Sequence, residues 1–293
     1  IDVIYHSGAL VNFVYTYEQL QETNVEGTQE VIHLATTEFL KPIHYVSTVA
    51  VFTQKNHKEL TEINEHTSID QPGLLLGGYA QTKWVSEQLM QQAKAQGLPI
   101  TIYRPGRISG DTSSFILNKE DLFARSIIGN INLGAMPEAK IGIDLTPVDY
   151  VSKAIVSLSL NKTAQDKTFH LLHNNRLISN EFSAVLSDLD YPVALIEYKE
   201  WRNRLIQAAL NLENNPLLPL LPLFAEDALE EQKEINRQVI APGQAPFSCM
   251  ETLKLIPEDI KQILIEPKEL LAFYIKQLHK EGLIQQKIIS KGN

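Results

Sequence analysis

The first third of the chain alternates between short apolar runs and longer segments with helical periodicity. Val3–His6, Ile43–Ser47 and Ile100–Tyr103 are short runs rich in β-branched and aromatic residues, which is typical of buried strands. Between them, apolar residues recur at helical spacing within Gln19–Phe39 and Tyr79–Ala95, which predicts two helices. Strands that alternate with helices of this length indicate parallel βαβ units, so we expect an α/β fold.

The rest of the chain is predicted to be mainly helical. Two strands are expected in it, at Lys167–Leu172 and Val193–Tyr198. The helices expected in this part are Asp121–Ile131, Val148–Leu160, Glu181–Leu189, Glu200–Leu212, Glu226–Val239 and Pro267–Leu278. This change of character predicts a boundary between two subdomains, which we place after residue 115.

The composition fits an ordinary globular protein and narrows the possible partners. Of 293 residues, 44% are hydrophobic and 21% are charged, so a core can form and wholesale disorder is excluded. The net charge of −9 argues against a nucleic acid or an anionic membrane as a partner. No run approaches the roughly 20 apolar residues of a membrane helix. Cys249 is the only cysteine, which excludes an internal disulfide and a cysteine-built metal site and favours a cytoplasmic location.

The sharpest chemical feature is a Tyr–Lys pair at the start of the second predicted helix. Tyr79 and Lys83 are four residues apart and therefore lie on one helical face. A cation beside a phenol stabilises the phenolate, so we expect Lys83 to lower the pKa of Tyr79. Such a tyrosine can transfer a proton to a carbonyl oxygen that gains a hydride. On its own the pair is weak evidence, because Tyr and Lys at this spacing more often belong to a solvated helix face.

Residues suited to a binding site also follow the predicted strands. Ligands of parallel sheets bind beyond the carboxyl ends of the strands. Thr48 stands there after the second strand, where its hydroxyl could hydrogen-bond the same carbonyl oxygen as Tyr79. Each of these residues could instead belong to an ordinary turn, but their coincidence with the Tyr–Lys pair favours a shared site. The residues at the same position after the first and third strands are Ser7, Gly8, Ala9, Pro105 and Gly106.

These motifs resemble those of the extended short-chain dehydrogenase/reductase family. The short patterns that carry the resemblance are Ser-Thr-x-x-x-Phe at 47–52, Tyr-x-x-x-Lys at 79–83 and Tyr-Arg-Pro-Gly at 103–106. More narrowly, longer stretches are similar to the thioester reductase domains of non-ribosomal peptide synthetases and polyketide synthases. These stretches are Tyr5–Asn12, Asn24–Thr28, His44–Phe52, Gly77–Trp84, Tyr103–Gly110, Leu145–Val151 and Phe247-Ser248.

The resemblance implies a fold and a reaction. The fold is part of a doubly wound, parallel, Rossmann-like sheet with a smaller, mainly helical C-terminal subdomain. Residues 1–115 would then be the remainder of the cofactor and catalytic domain, and residues 116–293 would bind the substrate and the carrier protein, with some segments returning to the sheet. The implied reaction uses NADPH to release an acyl or peptidyl group, held as a thioester on the phosphopantetheine arm of a carrier protein, as an aldehyde or an alcohol.

The resemblance also implies a role for each candidate residue. Tyr79 would donate the proton, Thr48 would polarise the carbonyl oxygen, and Lys83 would tune Tyr79 and bind the cofactor ribose. Pro105 and Gly106 would lie near the nicotinamide. The residues beside the adenosine would be Ser7, Gly8 and Ala9. No metal is expected, because the eight histidines form no ligand motif.

One feature of the family does not occur in this sequence. Family members begin with a Gly-x-x-Gly-x-x-Gly turn that binds the cofactor pyrophosphate at a helix N-terminus. We therefore expect an N-terminally truncated, monomeric domain of a larger protein, with an exposed sheet edge at Val3–His6 and weak or no NADPH binding by these residues alone. Such an edge favours association.

Two other functional classes stay open at this point. One is a stand-alone extended reductase, such as a fatty acyl-CoA reductase or a sugar-nucleotide epimerase or dehydratase. The other is a non-catalytic interaction domain that has kept the fold. The acyl substrate, the number of reduction steps and the choice between NAD and NADP are not determined by the sequence.

Overall fold

The computed structural model describes residues 1–52, 62–70, 75, 77–138, 142–224 and 246–285, which contain eight strands and ten α-helices. The strands are β1 (Ile4–His6), β2 (Ile43–Val46), β3 (Ile100–Pro105), β4 (Ile108–Ser109), β5 (Ala135–Pro137), β6 (Thr146–Pro147), β7 (Thr168–Leu171) and β8 (Ala194–Ile196). The helices are α1 (Tyr17–Gln21), α2 (Gly27–Thr36), α3 (Gly78–Ala95), α4 (Leu122–Leu133), α5 (Val148–Leu160), α6 (Ser179–Asp188), α7 (Tyr198–Leu210), α8 (Met250–Leu255), α9 (Glu258–Lys261) and α10 (Pro267–Lys280). A π-helical turn, Glu22–Glu26, joins α1 to α2.

A four-stranded parallel sheet organises the N-terminal half. Its strand order is β1-β2-β3-β7, and every neighbouring pair is parallel. Among the described strands β1 pairs with β2 alone, so it is an edge strand, as the sequence predicted. The remaining strands form two small parallel pairs, β4 with β6 and β5 with β8. The predicted α/β class with a parallel, Rossmann-like sheet is therefore confirmed.

The pleat of the strands sends alternate side chains to two helical layers. Ile43 and Tyr45 of β2 pack with α2 and α3, together with Ile100 and Ile102 of β3. Tyr103 points to the opposite face and packs with α5. Burying each of these side chains contributes about 1.5–3 kcal/mol. This packing holds α3 against the sheet, and the candidate site lies at the start of this helix.

A second core lies in the C-terminal half. It is built mainly by α4, α6 and α10, with Phe123, Phe182 and Tyr274 among its buried members. The helices and strands predicted in the described residues are confirmed in type and within a few residues in position. The short strands β4, β5 and β6 were not predicted, because two or three residues carry too little hydrophobic pattern. The short helices α8 and α9 were missed for the same reason.

Some sequence predictions are not addressed by this structure. The helix predicted at Glu226–Val239 lies outside the described residues. The division of the chain after residue 115 stays a prediction, although β7 does return to the sheet. None of the described helices is long and apolar enough to cross a membrane.

Candidate active site

The Thr48 and Tyr79 side chains meet at the carboxyl end of β2. Thr48 follows this strand directly, and Tyr79 lies in the first turn of α3. The Thr48 hydroxyl lies close enough to the phenol to lower the pKa of Tyr79. The Thr48 Oγ1 also accepts a hydrogen bond from the Ala50 backbone N–H at 3.2 Å, so its own proton is available to a partner. The structure thus brings together two hydroxyls that the sequence assigned to one carbonyl oxygen, while their catalytic roles stay a prediction.

The pKa of Tyr79 departs from its usual value in the opposite direction to the one expected. Burial raises the pKa of Tyr79 to about 12, and the neighbouring Thr48 hydroxyl offsets only part of this rise. The expectation that Lys83 lowers this pKa is therefore wrong for this structure. The Lys83 ammonium donates its hydrogen bond to the Val46 carbonyl, and it is not among the groups that shift the pKa of Tyr79. The phenol accordingly keeps its proton at neutral pH, which is the form that an acid catalyst requires.

The Lys83 ammonium is buried next to the carboxyl end of β2. Its Nζ donates a hydrogen bond to the Val46 carbonyl at 2.9 Å and lies 4.4 Å from the centroid of the Tyr45 ring. Desolvation lowers the pKa of Lys83 to about 8, and the Glu87 carboxylate opposes that shift. The amine is therefore protonated in most molecules near neutral pH, and a minor fraction is neutral.

Glu87 and Arg104 form a buried ion pair close to Lys83. The sequence analysis did not predict this pair. Arg104 Nη2 contacts Glu87 Oε1 at 2.5 Å, and the two side chains are 2% and 0% exposed. Ser47 Oγ donates a hydrogen bond to Glu87 Oε2, also at 2.5 Å. A signal was present, because Glu87 stands four residues after Lys83 and Arg104 belongs to the Tyr-Arg-Pro-Gly motif. Helical spacing alone could not show that the two side chains pair.

A histidine, His170, connects the ion pair to the C-terminal part of the chain. Arg104 Nη1 lies 3.4 Å from His170 Nε2, and His170 Nδ1 lies 2.8 Å from the Ser248 carbonyl. A carbonyl only accepts hydrogen bonds, so we assign the proton of the neutral ring to Nδ1. Burial and the Arg104 charge lower the pKa of His170 to about 3.

Neutral buried histidines make the fold sensitive to acid. Burial lowers the pKa of His6 to about 4 and that of His170 to about 3, both from a usual value of 6.5. As the pH falls below about 6.5 the unfolded chain binds these protons first, so the free energy of unfolding decreases by up to about 1.4 kcal/mol per pH unit and proton. Urea unfolding between pH 7 and pH 5 should show this loss. His170→Gln, which keeps a donor and an acceptor, should flatten the profile, and an unchanged slope would contradict the assignment.

A π-helical turn connects the loop after β1 to α3. Asn24, in this turn, donates hydrogen bonds to the Leu10 carbonyl and to Thr82 Oγ1, each at 3.1 Å. Its Oδ1 accepts from the Leu10 N–H at 2.7 Å, and Ser86 Oγ donates to its carbonyl. Such turns occur often at functional sites. The sequence does not predict these bonds of Asn24, because side-chain bonds over this sequence distance leave no local pattern.

Gly106 is required by the protein itself. A Cβ at this position would lie 1.7 Å from Asp144 Oδ2. The buried Asp144 carboxylate accepts hydrogen bonds from the Arg107 and His173 N–H groups and from Thr146 Oγ1. The missing side chain therefore makes room for Asp144.

The other predicted cofactor residues also lie at carboxyl ends of the sheet strands. Pro105 is the last residue of β3, and Ser7, Gly8 and Ala9 follow β1. Because β1, β2 and β3 are parallel neighbours, these residues share one edge of the sheet with Thr48. Their contacts with a cofactor, and that of Gly106, stay predictions. Within the described part of the chain no group of three His, Cys, Asp or Glu side chains could hold a metal ion.

A mostly apolar pocket opens next to the site. Its walls include Phe182, Trp201 and Phe224, with Arg107 at one side. The Phe13 ring packs against the cluster that contains Trp201 and Phe224, and it contacts the Tyr79 ring edge-on at 5.6 Å between centroids. One side chain therefore separates the pocket wall from the candidate catalytic tyrosine.

Comparisons with known proteins show the family to which the chain belongs. The model of a family of NAD-binding domains, described as Male sterility protein, matches residues 1–155. The chain is 36% identical over 256 residues to a linear gramicidin synthase polypeptide of Brevibacillus parabrevis, covering 86% of this chain and 5% of that protein. It is 30% identical over 308 residues to the large subunit of L-2-aminoadipate reductase of Eremothecium gossypii, covering 98% of this chain and 21% of that protein.

A solved structure extends the likeness to the whole fold. The terminal R domain from the myxalamid PKS-NRPS biosynthetic pathway superposes with a TM-score of 0.85 and 35% identity, covering 97% of this chain and 70% of that one. The chain thus spans a small part of the two curated relatives and most of this domain. The family match and the reductase relatives support a nicotinamide cofactor. The chain belongs to the Male sterility protein family of NAD-binding domains and is homologous to the terminal reductase domains of polyketide and non-ribosomal peptide synthetases.

Proposed function

We propose that this chain reduces an acyl or peptidyl thioester, held on the phosphopantetheine arm of a carrier protein, and releases it as an aldehyde. The observation that carries the proposal is that the Thr48 and Tyr79 hydroxyls lie together beside the buried Lys83. It stands in a chain that is 35% identical to a terminal R domain. A carrier protein as partner follows from the same homology.

The residues of the site have complementary roles in this reaction. When bound, a reduced nicotinamide cofactor supplies the hydride that adds to the thioester carbonyl carbon. Tyr79, protonated at neutral pH, gives its proton to the oxygen as negative charge develops there, and Thr48 donates a hydrogen bond to the same oxygen. Oriented donors of this kind contribute on the order of 10²–10³ in rate. The hemithioacetal then breaks its carbon–sulfur bond to yield the aldehyde and the pantetheine thiol.

The donor set of the site fits such a cofactor. In the part of the chain that the structure describes, the Lys83 ammonium donates one hydrogen bond, to Val46, so two of its three N–H groups are available. Ribose hydroxyls are suitable acceptors for them. Pro105 and Gly106 would lie near the nicotinamide and Ser7, Gly8 and Ala9 near the adenosine. The choice of NADPH over NADH follows from the resemblance to thioester reductases, and the cytoplasmic location stays a prediction.

The test is a reduction assay with three classes of substrate. The chain is expressed together with any neighbouring sequence that its gene encodes. NADPH oxidation is then followed while an aldehyde-trapping reagent captures the product. Pantetheine-linked or carrier-bound acyl thioesters should yield trapped aldehyde, whereas a sugar nucleotide should not react. Conversion of a sugar nucleotide in place of the thioester would overturn the proposal, and preference for an acyl-CoA would favour a stand-alone reductase.

The apolar pocket predicts which acyl groups are accepted. Ser126 lines the pocket, and Ser126→Leu would fill part of it. We expect kcat/KM for a decanoyl thioester to fall by about tenfold or more relative to an acetyl thioester, since a few methylenes are worth that much in a hydrophobic pocket. The matched control is Ser152→Leu on the exposed side of α5, which should leave the ratio of the two substrates unchanged. Equal ratios in both variants would place the acyl group elsewhere.

A further inference from the structure

A fixed carboxylate stands one helical turn beyond Lys83. Glu87 accepts hydrogen bonds from Ser47 Oγ at 2.5 Å, from Gln91 Nε2 at 3.1 Å and from Arg104 Nε at 3.0 Å. Arg104 Nη2 adds a further contact at 2.5 Å. With donors on both oxygens, the carboxylate cannot rotate, and its negative charge has one position.

The partner of this carboxylate is also held from several sides. The Arg104 guanidinium carbon lies 4.7 Å above the centroid of the Phe52 ring, and its Nη1 faces His170 Nε2. His170 is oriented in turn by the Ser248 carbonyl. Placing two charges in a protein interior carries a desolvation cost of several kcal/mol per ion, and apolar residues often replace such pairs without loss of stability. The Glu87–Arg104 pair is therefore poorly explained by stability alone.

The surroundings of Lys83 show what the Glu87 charge can act on. The groups that face the Lys83 amine are His6 on β1, Tyr45 on β2, and Tyr79 and Glu87 on α3, with Arg104 on β3 behind Glu87. His6 is neutral because its pKa is lowered, and the pKa values of both tyrosines are raised. Among the described residues around this amine, Glu87 is thus the one that supplies negative charge.

We propose that Glu87 is a positioning residue for Lys83: its immobilised carboxylate, one helical turn away, keeps the amine charged, and Arg104, His170 and the Ser248 carbonyl hold that carboxylate in place. The inference rests on the proposed function only in taking Lys83 as the lysine of the active site. This role would explain why the ion pair is buried beside Lys83. A neutral amine could neither orient a ribose hydroxyl by ionic hydrogen bonding nor support charge at the reacting oxygen. Ser248, which lies in the C-terminal part of the chain, then helps to support the site.

The direct test is a titration of Lys83 in the chain itself. Lysine labelled with ¹³C at the ε carbon reports each amine by NMR, and the Lys83 resonance is identified by its loss in Lys83→Met. In Glu87→Gln the carboxylate charge is removed at nearly constant shape, so we expect the pKa of Lys83 to fall by about one unit or more. The control is Ser86→Ala on the same helix, which removes buried hydrogen bonds but no charge and should leave that pKa unchanged.

A second variant separates charge from mere packing. Glu87→Asp keeps the charge but shortens the side chain and weakens its contacts with Arg104 and Ser47. If the charge acts on Lys83, the Asp variant keeps most of the wild-type pKa while the Gln variant does not. A purely structural role predicts the reverse order, because Gln preserves the shape better, and that order would overturn the proposal.

An unpaired Arg104 could prevent Glu87→Gln from folding. The double variant Glu87→Gln, Arg104→Met removes both charges, retains an apolar contact for Phe52 and should still lower the pKa of Lys83. An unchanged pKa in either folded variant would refute the inference. Because the titration requires neither substrate nor hydride transfer, a failure of the proposed reductase function would appear separately, as a wild-type chain without thioester reduction.

Discussion

Replacing Tyr79 with Phe is expected to lower kcat for thioester reduction by about 10²–10⁴-fold, with a small change in KM. The substitution removes one oxygen and keeps the ring, so the edge-on contact with Phe13 is preserved. The developing alkoxide loses its proton donor, and the Thr48 hydroxyl can only donate a hydrogen bond in its place. The measurement is the steady-state rate of NADPH oxidation with trapped aldehyde as product.

The control for this variant is a second buried tyrosine. The Tyr274 hydroxyl donates to the Gly110 carbonyl at 2.7 Å and contacts Ser109, in the C-terminal core and far along the chain from the site. Tyr274→Phe therefore loses comparable hydrogen bonds without touching the site and should retain kcat near the wild-type value. Turnover of Tyr79→Phe at the rate of Tyr274→Phe would remove Tyr79 from the role of acid.

The elements that carry the site were predictable because each has a local pattern. Strands β1 to β3 are short apolar runs, and α3 has helical periodicity that ends at a Gly-Leu-Pro stop. Parallel pairing then brings their carboxyl ends to one edge without further information. That is why Thr48 and Tyr79, more than thirty residues apart in sequence, could be assigned to one place.

What the sequence could not show depends on the direction of side chains and on burial. The spacing of Tyr79 and Lys83 puts both on one helical face, but the ammonium turns to the Val46 carbonyl and burial raises the phenol pKa. Likewise, the sequence indicates only that Glu87 is an acidic residue on a helix. Its pairing with Arg104, which lies on another element, is visible only in the structure. Gly106 could be predicted to need a missing side chain, but not that Asp144 fills the space. In each case a partner distant in sequence decides the chemistry.

These distant partners give the site its shape from several directions. Asn24 ties the loop after β1 to α3, Ser47 joins β2 to Glu87, and His170 connects β3 with the segment at Ser248. A parallel sheet alone would bring the strand ends together but leave α3 free to shift. The buried hydrogen bonds remove that freedom, so we expect substitutions that displace α3 to affect turnover as strongly as loss of a reacting group.

Gly78→Ala is the substitution expected to displace α3 most. A Cβ on Gly78 would lie 2.3 Å from the Thr16 carbonyl carbon and 2.5 Å from the Tyr17 nitrogen. Both atoms belong to the backbone at the start of α1, so no side-chain rotation can relieve the overlap. Overpacking of this kind destabilises a protein by about 1–3 kcal/mol or more. Because Tyr79 is the next residue, a shift near 1 Å should in addition lower kcat by about 10²-fold in the molecules that remain folded.

Gly27→Ala is the matched control for this prediction. Gly27 also begins a helix, α2, but a Cβ there would meet nothing closer than the Glu22 carbonyl oxygen at 3.9 Å. Alanine in that helical position should be neutral or stabilise the fold by about 0.5–1 kcal/mol, because glycine loses more conformational freedom on folding. Urea unfolding and kcat should therefore separate the two variants in opposite directions. Equal stability and equal turnover in both would mean that α1 yields to the added methyl group, and the tight approach of α1 and α3 would then not be what positions Tyr79.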